Sequence, residues 1–375
     1  MADKVVPEMS ADHAVPVSGL DELKKHLDDL VSAPETPLDP KLLDDVELQL
    51  NETNIPPLLP VLLPSLTAIL KTTPHDPSPV VSLTIKLLGP VPFTRTLQLA
   101  DESSLVAALR SPSPSANLLA LAVLAKAAAA PSDAAILSLM PRVVEELLRR
   151  WLSAPQVEVG ERATRVLGDI LDVDCELPPP PAAAAAVSGS PPGRELVRRR
   201  APGQGRMWRR IFHDRELFGL VLSLARGHDP DPAADPAAAA LSPHQLSLAQ
   251  GRVLRILPRL AALNIAEVAA SPFPDLTGSA AAADDDDGLL QLAALRMVDK
   301  SDTLMHLNLV DFFETLLSVM RVADHTHRTM GVLRDLVRRA VEDDDTLRTA
   351  LLSLHDRTVP EESDALRAFV RDVMA

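Results

Sequence analysis

The fold is decided by residues 141–174, which read PRVVEELLRRWLSAPQVEVGERATRVLGDILDVD. Within 142–152 the apolar side chains recur every three or four positions, at Val143, Val144, Leu147, Leu148, Trp151 and Leu152. After a break at 153–156 the same spacing resumes at Val159, Ala163, Val166, Leu167, Ile170 and Leu171. Because residues three and four apart share one face of an α-helix, this stretch predicts two consecutive amphipathic helices.

The same spacing continues from residue 20 to the end of the chain, interrupted where Pro stands beside Ser or Asp. Pro is tolerated in the first turn of a helix and breaks its interior, so these pairs are typical of helix starts. They are Asp39-Pro40, Ser78-Pro79, Ser111-Pro112, Pro131-Ser132 and Ser242-Pro243. We therefore expect helix pairs over 19–51, 56–88, 102–130, 135–173, 206–264, 289–321 and 327–356, followed by a final helix over 361–374.

Composition favours the same fold class. The chain has two Trp, seven Phe and no Tyr among 375 residues, whereas β-sheets are rich in aromatic and β-branched side chains. Leu and Ala, which are strong helix formers, dominate instead. Once the loops between them are allowed for, successive pairs begin about 35–50 residues apart, close to the spacing of HEAT and armadillo units. We predict an all-α fold, namely a curved α-solenoid of HEAT/armadillo-like helix pairs; an irregular helical bundle is the alternative.

Domain organisation follows from the segments that do not fit a packed helix. Residues 176–205, 228–241 and 271–288 are rich in Pro, Ala, Gly or Asp and bury too little apolar area to offset their ordering entropy. We expect them to be mobile loops inserted into the solenoid. Residues 1–18 are predicted to be a flexible N-terminus, and 19–375 a single α-solenoid.

Charge and cysteine content restrict the partners and the compartment. The chain has 37 Lys and Arg against 52 Asp and Glu, a formal net charge of −15, which argues against nucleic-acid binding. Cys175 is its one cysteine, which suits a reducing compartment. The apolar run 118–130 is broken by Lys126 and is shorter than the roughly 18–20 residues of a membrane span. We expect a cytoplasmic protein without membrane contact, with a nuclear location also open.

A search for chemistry finds no catalytic pattern. The sequence has no phosphate-binding glycine loop and no nucleophile elbow, and one cysteine cannot build a zinc site of the paired-cysteine type. His325 and His327 lie two residues apart, which fits a surface loop better than a metal site. The Arg-rich stretch 194–210 is a nuclear-import signal, an anion contact or a solvated linker. We predict no enzymatic activity, no metal, no cofactor and no catalytic residue.

Polar positions on two apolar segments indicate a partner surface. Successive residues of an α-helix are rotated by about 100° around the helix axis. On this basis five polar residues of 303–321 share one stripe that covers roughly 80° of the helix circumference, namely Thr303, Asp311, Glu314, Ser318 and Arg321. The segment 246–264 carries Arg252, Arg255 and Arg259. Two interpretations are open for these segments. Either both are buried helices with one solvent-exposed edge, or both line a groove whose alternating charges suit a folded protein partner. We predict that these eight residues bind a partner.

Four stretches carry a resemblance to a known family. They are GERATRVLGDILDVD at 160–174, MWRRIFHD at 207–214, QGRVLRILPR at 250–259, and MVDKSDTLMH at 297–306 running into LVDFF at 309–313. In this order the chain resembles, over about 55–345, the fungal HEAT-repeat chaperones of proteasome regulatory-particle assembly. Members of that family are often described as DNA mismatch repair proteins, and the mammalian counterpart is proteasome non-ATPase regulatory subunit five.

The resemblance implies a function without catalysis. It implies an α-solenoid, monomeric alone, whose concave face holds the C-terminal domain of one ATPase subunit of the proteasome base and prevents premature assembly. Two other functions stay open, a DNA-repair accessory factor and a generic solenoid adaptor or scaffold. The first of these requires the basic stretch 194–210 to contact phosphates.

Overall fold

The computed structural model describes residues 17–176, 202–230, 240–277, 287–323 and 326–375. Helices make up 75% of those residues and no strand occurs among them, so the predicted all-α class is confirmed. The first ten helices are α1 (Leu20–Ser32), α2 (Pro40–Glu47), α3 (Ile55–Thr72), α4 (Ser78–Leu88), α5 (Phe93–Thr96), α6 (Glu102–Arg110), α7 (Pro114–Ala125), α8 (Pro131–Ser138), α9 (Pro141–Ser153) and α10 (Val157–Asp174).

Nine further helices follow in the described residues. They are α11 (Arg206–Phe212), α12 (Arg215–Ala225), α13 (Pro243–Ala269), α14 (Pro274–Thr277), α15 (Leu289–Leu295), α16 (Thr303–Val322), α17 (His327–Val341), α18 (Asp345–Leu352) and α19 (Pro360–Met374). Short 3₁₀ turns occupy Lys126–Ala129 and Leu354–Arg357. The predicted pairs 135–173 and 206–264 each prove to contain three helices, and α13 has a kink at Asn264, where φ is −159°.

The Pro-containing pairs mark helix starts at four of the five predicted places. The exception is Ser111-Pro112, because α7 begins two residues later at Pro114. The Asn117 side chain explains this delay. It is buried and donates to the carbonyls of Ala108, Leu109 and Ser111 at 2.8–3.0 Å, so the end of α6 and the turn after it are fixed together.

Seven helices pack in the order in which they occur in the chain, and we call them the seven-helix row. In this row α2 contacts α4, α4 contacts α7, α7 contacts α10, α10 contacts α13, α13 contacts α16 and α16 contacts α18. Eight other helices pack on one another in shorter series: α1 on α3, α6 on α9, α9 on α12, α15 on α17 and α17 on α19. Each inner helix of the row also contacts two members of the row and at least one helix outside it.

Two apolar clusters hold these helices together. The first joins α1 to α4 and contains Leu23, Leu43, Leu66 and other buried side chains up to Leu87. The second runs from Leu88 to Val373. Its larger side chains include those of Trp208 and Phe212, whose rings stack with centroids 5.5 Å apart. Burial of these apolar side chains is the dominant favourable term in such a fold.

The ends of the three predicted loops are joined pairwise. Residues 177–201, 231–239 and 278–286, like residues 1–16, lie outside the described residues. The backbone N–H of Gly203 donates to the carbonyl of Cys175 at 2.8 Å, that of Leu241 to Gly227 at 2.8 Å, and that of Gly288 to Ala269 at 2.9 Å. Each segment thus leaves and re-enters the helical framework at one point, as expected of an insertion.

Parts of the predicted flexible segments are ordered. Residues 274–277, inside the predicted loop 271–288, form α14, and Arg226 donates to the carbonyls of Leu276 and Thr277. The backbone of Ser18, predicted to be flexible, donates to the side chain of Gln49 at 2.8 Å. Composition alone missed these contacts because they depend on polar partners distant in the sequence.

Helix α3 is an apolar segment longer than the run 118–130 considered from the sequence. By length and composition α3 is apolar enough to cross a membrane, with a mean hydropathy of 1.4 over 18 residues, 28% of which are buried. Its side chains of Leu62, Leu66 and Ile69 pack into the first apolar cluster. A core helix of a soluble protein passes the same test, so α3 alone does not indicate a membrane span.

The Lys126 side chain, which follows α7, connects that helix to the carboxyl end of α4. Its Nζ donates to the carbonyls of Leu88, Gly89 and Val91 at 2.7, 2.9 and 2.9 Å. These carbonyls lie at and just beyond the end of α4, where no following helical turn supplies N–H donors. Partial burial lowers the pKa of the Lys126 ammonium. The lysine that interrupts the apolar run 118–130 is therefore a structural cap.

We predict that Lys126→Met lowers the free energy of unfolding by about 1.5–3 kcal/mol, the range for hydrogen bonds that involve a charged group. Urea unfolding followed by circular dichroism measures the change. Lys86→Met, at an exposed position of α4, is the matched control and is expected to stay within about 0.5 kcal/mol of the original protein. Equal effects of the two substitutions would contradict the assignment of Lys126 as a cap.

Candidate partner-binding surface

Arg252, Arg255 and Arg259 of α13 lie against α10, the preceding helix of the seven-helix row. Arg255 pairs with Glu161. Arg259 donates to Asp169 at 2.8 Å and to Asp172 at 2.9 Å. Burial alone would lower the pKa of Arg259, but the two carboxylates outweigh it and raise the pKa. Two of the basic positions predicted to meet a partner, Arg255 and Arg259, are therefore already paired with carboxylates of α10.

Arg252 is a structural residue. Its side chain is 3% exposed, and its guanidinium donates to the carbonyls of Trp151 at 3.1 Å, Leu152 at 3.3 Å and Gln156 at 3.4 Å. Burial lowers its pKa. The expectation that Arg252 touches a partner directly does not fit this geometry, because the side chain is almost fully buried and its guanidinium is bonded to backbone carbonyls. Sequence spacing showed that Arg252 shares a face with Arg259 but not that a neighbour covers it.

The predicted stripe on α16 divides into an exposed part and a bonded part. Thr303 and Asp311 are exposed. Glu314 pairs with Arg357, with one oxygen 3.0 Å from Nη1, and Arg321 pairs with Glu362 of α19. Ser318 donates to the carbonyl of Glu314 at 2.7 Å. Glu314 and Arg321 thus tie α16 to the helices beside it, and Asp311 is the acidic residue of the stripe that faces outward.

Two leucines complete the exposed face of α16. Leu304 is 67% exposed and Leu307 is 56% exposed, although both belong to the apolar positions of the segment 303–321. Thr315 is exposed as well. Because 304, 307, 311 and 315 follow each other at three- or four-residue intervals, the four side chains lie on one face. Extending the spacing backwards from Asp311 would have found the leucines.

Helix α10 contributes a face that the sequence analysis missed. Glu158 and Arg165 are exposed there, and Glu161, Asp169 and Asp172 lie at helical spacing beside them. The acidic residues meet the arginines of α13 described above. The sequence carried a signal for this face, because charged residues recur at 158, 161, 165, 169 and 172, about once per helical turn between the apolar positions.

We call the exposed faces of α10, α13 and α16 together the row surface. Each of these helices contacts two other members of the seven-helix row and helices outside it, and each still presents exposed side chains. Its exposed members include Glu158, Arg165, Arg255, Leu304, Leu307, Asp311 and Thr315. Two leucines beside one outward carboxylate suit an apolar anchor with a neighbouring cation on a protein partner.

Histidine and cysteine side chains that could act in catalysis or bind a metal make structural contacts instead. The ring Nε2 of His306 is 2.9 Å from Asp344, and Cys175 is buried with its Sγ 3.5 Å from the carbonyl of Leu263. His327 begins α17, whereas His325 lies outside the described residues. In the part of the chain that the structure describes, no group of three or more His, Cys, Asp or Glu side chains converges on a metal-sized site.

Comparisons with known proteins leave the family resemblance as a prediction. No protein-family model matches the chain, and no curated protein matches it significantly.

Asp344 is the polar centre that joins α16 to α18. It is 5% exposed, accepts from the backbone of Leu347 at 2.9 Å, and lies 3.0 Å from Nζ of Lys300 and 2.9 Å from His306. Burial acts to raise the pKa of Asp344, but these donors outweigh it and lower the pKa below its ordinary value.

We predict a pH-dependent effect of Asp344→Asn. A carboxylate whose pKa is lowered by folding contributes stability above its unfolded pKa and loses it as the pH falls through the folded value. Around neutral pH the substitution should cost on the order of 1.5–3 kcal/mol, and the difference should shrink below about pH 4. Unfolding measured from pH 7 to pH 3 tests this.

The neighbouring Asp345→Asn is the control, because that side chain is 94% exposed and its effect should stay below about 1 kcal/mol. A cost of Asp344→Asn that does not change with pH would show that its carboxylate charge is not what the fold uses.

Proposed function

We propose that the chain is a curved α-solenoid of HEAT/armadillo-like helix pairs that acts as a non-catalytic chaperone in assembly of the proteasome regulatory-particle base. The observation that carries the proposal is the seven-helix row, in which helices pack in chain order and each unit contacts the next. Such nearest-neighbour stacking is the defining property of solenoids. The four stretches that resemble the HEAT-repeat chaperone family support the more specific assignment.

The partner in this proposal is the C-terminal domain of one ATPase subunit of the base, held on the row surface. Leu304 and Leu307 supply apolar contact area, and Asp311 supplies an outward charge that orients the partner. Most other charges near this surface are paired within the chain, as in Arg259 with Asp169. Binding therefore depends on shape and on these few residues rather than on a general electrostatic field. The location is cytoplasmic, with nuclear entry also open.

The alternative as a DNA-repair accessory factor is less well supported. It needs the basic stretch 194–210 to contact phosphates, and residues 194–201 lie outside the described residues. In the described part, Arg209 pairs with Glu176, and Arg210 pairs with Asp214 and donates to the carbonyl of Ser138. These bonds occupy guanidinium groups that a phosphate would have to capture. Titration of duplex DNA at low salt tests this alternative directly.

Affinity capture of the tagged chain from cell extract, followed by mass spectrometry, tests the proposed function. We expect one ATPase subunit of the proteasome base to be recovered with the chain, and the chain to be absent from finished proteasomes. Recovery in stoichiometric amounts within mature particles would contradict the chaperone role. Recovery of unrelated cargo without any ATPase subunit would favour the generic adaptor or scaffold.

A double substitution on α16 tests the row surface. Leu307→Asp with Asp311→Arg removes the apolar contact and reverses the charge at two exposed positions, so we expect recovery of the ATPase subunit to fall at least about tenfold, equivalent to 1.4 kcal/mol. Circular dichroism should stay unchanged. The matched control is Val31→Asp with Asp28→Arg on α1, where both residues are exposed. Equal recovery with both double variants would exclude this face of α16 as the binding site.

A further inference from the structure

Gly160 lies where α10 passes closest to a side chain of α13. Glycine is a poor helix residue, so a glycine within α10 needs a structural reason. A Cβ built at Gly160 would overlap three atoms of the Arg252 guanidinium group, namely Cζ, Nε and Nη2. We call the space above this glycine the Gly160 notch. It admits a buried arginine that any larger residue at position 160 would exclude.

The guanidinium in the Gly160 notch connects three helices. Arg252 belongs to α13 and crosses α10 at the notch. It donates to the carbonyls of Trp151 and Leu152, in the last turns of α9, and to that of Gln156, which precedes α10. Carbonyls at a helix end lack intrahelical partners and carry partial negative charge. One side chain thus fixes α9, α10 and α13 at a single point.

Two other glycines of α10 and α13 differ from Gly160 in what a side chain would meet. A Cβ at Gly168, also on α10, would lie 2.8 Å from Nη1 of Arg259, which is the far end of a half-exposed side chain that can move aside. A Cβ at Gly251, beside Arg252 on α13, would meet no atom within 4 Å. Arg252 is 3% exposed, and its guanidinium donates to three carbonyls, so moving it out of the Gly160 notch would break those hydrogen bonds.

We propose that Arg252 in the Gly160 notch fixes the angle between α10 and α13 and so positions the row surface for its partner. The proposal rests on the proposed function only for the role of that partner. The exposed pair of Arg255 with Glu161 and the pairs of Arg259 with Asp169 and Asp172 lie along the same junction. A change of angle at the notch would separate these pairs and displace α16 relative to α10. Arg252 is thus a positioning residue that touches no partner.

A double-mutant cycle on the free protein tests the notch. We expect Gly160→Ala to lower the thermal unfolding midpoint when Arg252 is present and to raise it in an Arg252→Ala background. Gly251→Ala is the matched control and should raise the midpoint in both backgrounds, because alanine is the better helix former. A rise caused by Gly160→Ala beside an intact Arg252 would overturn the proposal.

The cycle remains decisive if Gly160→Ala alone does not fold. Recovery of folding in the double variant would show that the clash with Arg252 was the cause. If the double variant also fails to fold while Arg252→Ala folds, the clash is not the cause and the proposal is wrong.

A distance measurement tests the angle itself. Spin labels are attached to cysteines introduced at Lys86 of α4 and Arg371 of α19, which are both exposed and lie on opposite sides of the α10–α13 junction in the chain. The native Cys175 is buried and should not react with the label. We expect Arg252→Lys to shift or broaden the distance distribution beyond that of the original protein, and Gly251→Ala to leave it unchanged. An unchanged distribution for Arg252→Lys would overturn the proposal, whereas the capture experiment on Leu307 and Asp311 tests the proposed function separately.

Discussion

The carbonyl groups at the ends of the helices are the constraint on which the rest of this structure depends. Glycine caps satisfy them in many proteins, but only 14 of the 375 residues are glycine, and of the described glycines with positive φ one, Gly227, follows a helix end. Cationic side chains from neighbouring helices perform this task instead. Lys126 serves α4, Arg210 serves α8 and Arg252 serves α9. At these three helix ends the carbonyls gain a partner from a later part of the chain, which couples the folding of the helices concerned.

The existence and approximate limits of the helices could be predicted from the sequence, because apolar periodicity and Pro-containing starts are local signals. The stretch 141–174 divides as expected into α9 and α10. Local signals failed where a distant side chain decides the outcome. Asn117 delays the start of α7, and Arg226 fixes α14 within a segment whose composition predicts a loop. Long-range hydrogen bonds leave no trace in periodicity.

The candidate surface could be predicted only in part, and the reason is geometric. Helical spacing states which residues share a face but not which neighbour covers that face. Asp311 is exposed, as a residue facing a partner must be, but Arg252 is enclosed although it was predicted to bind, and Leu304 is exposed although it is apolar. The missing information was the identity of the adjacent helices in the seven-helix row. Gly160 was an available clue, since a glycine in an otherwise regular helical pattern usually marks a close approach.

The three backbone hydrogen bonds that join the ends of the inserted segments have a consequence for protein engineering. Because residues 175 and 203, 227 and 241, and 269 and 288 meet within one hydrogen bond, the helical framework does not depend on the length of chain between them. Closing a longer loop costs little additional entropy. A reporter domain whose own termini are adjacent can therefore replace any of these segments, and the three positions are natural points for a fluorescent fusion or a purification tag.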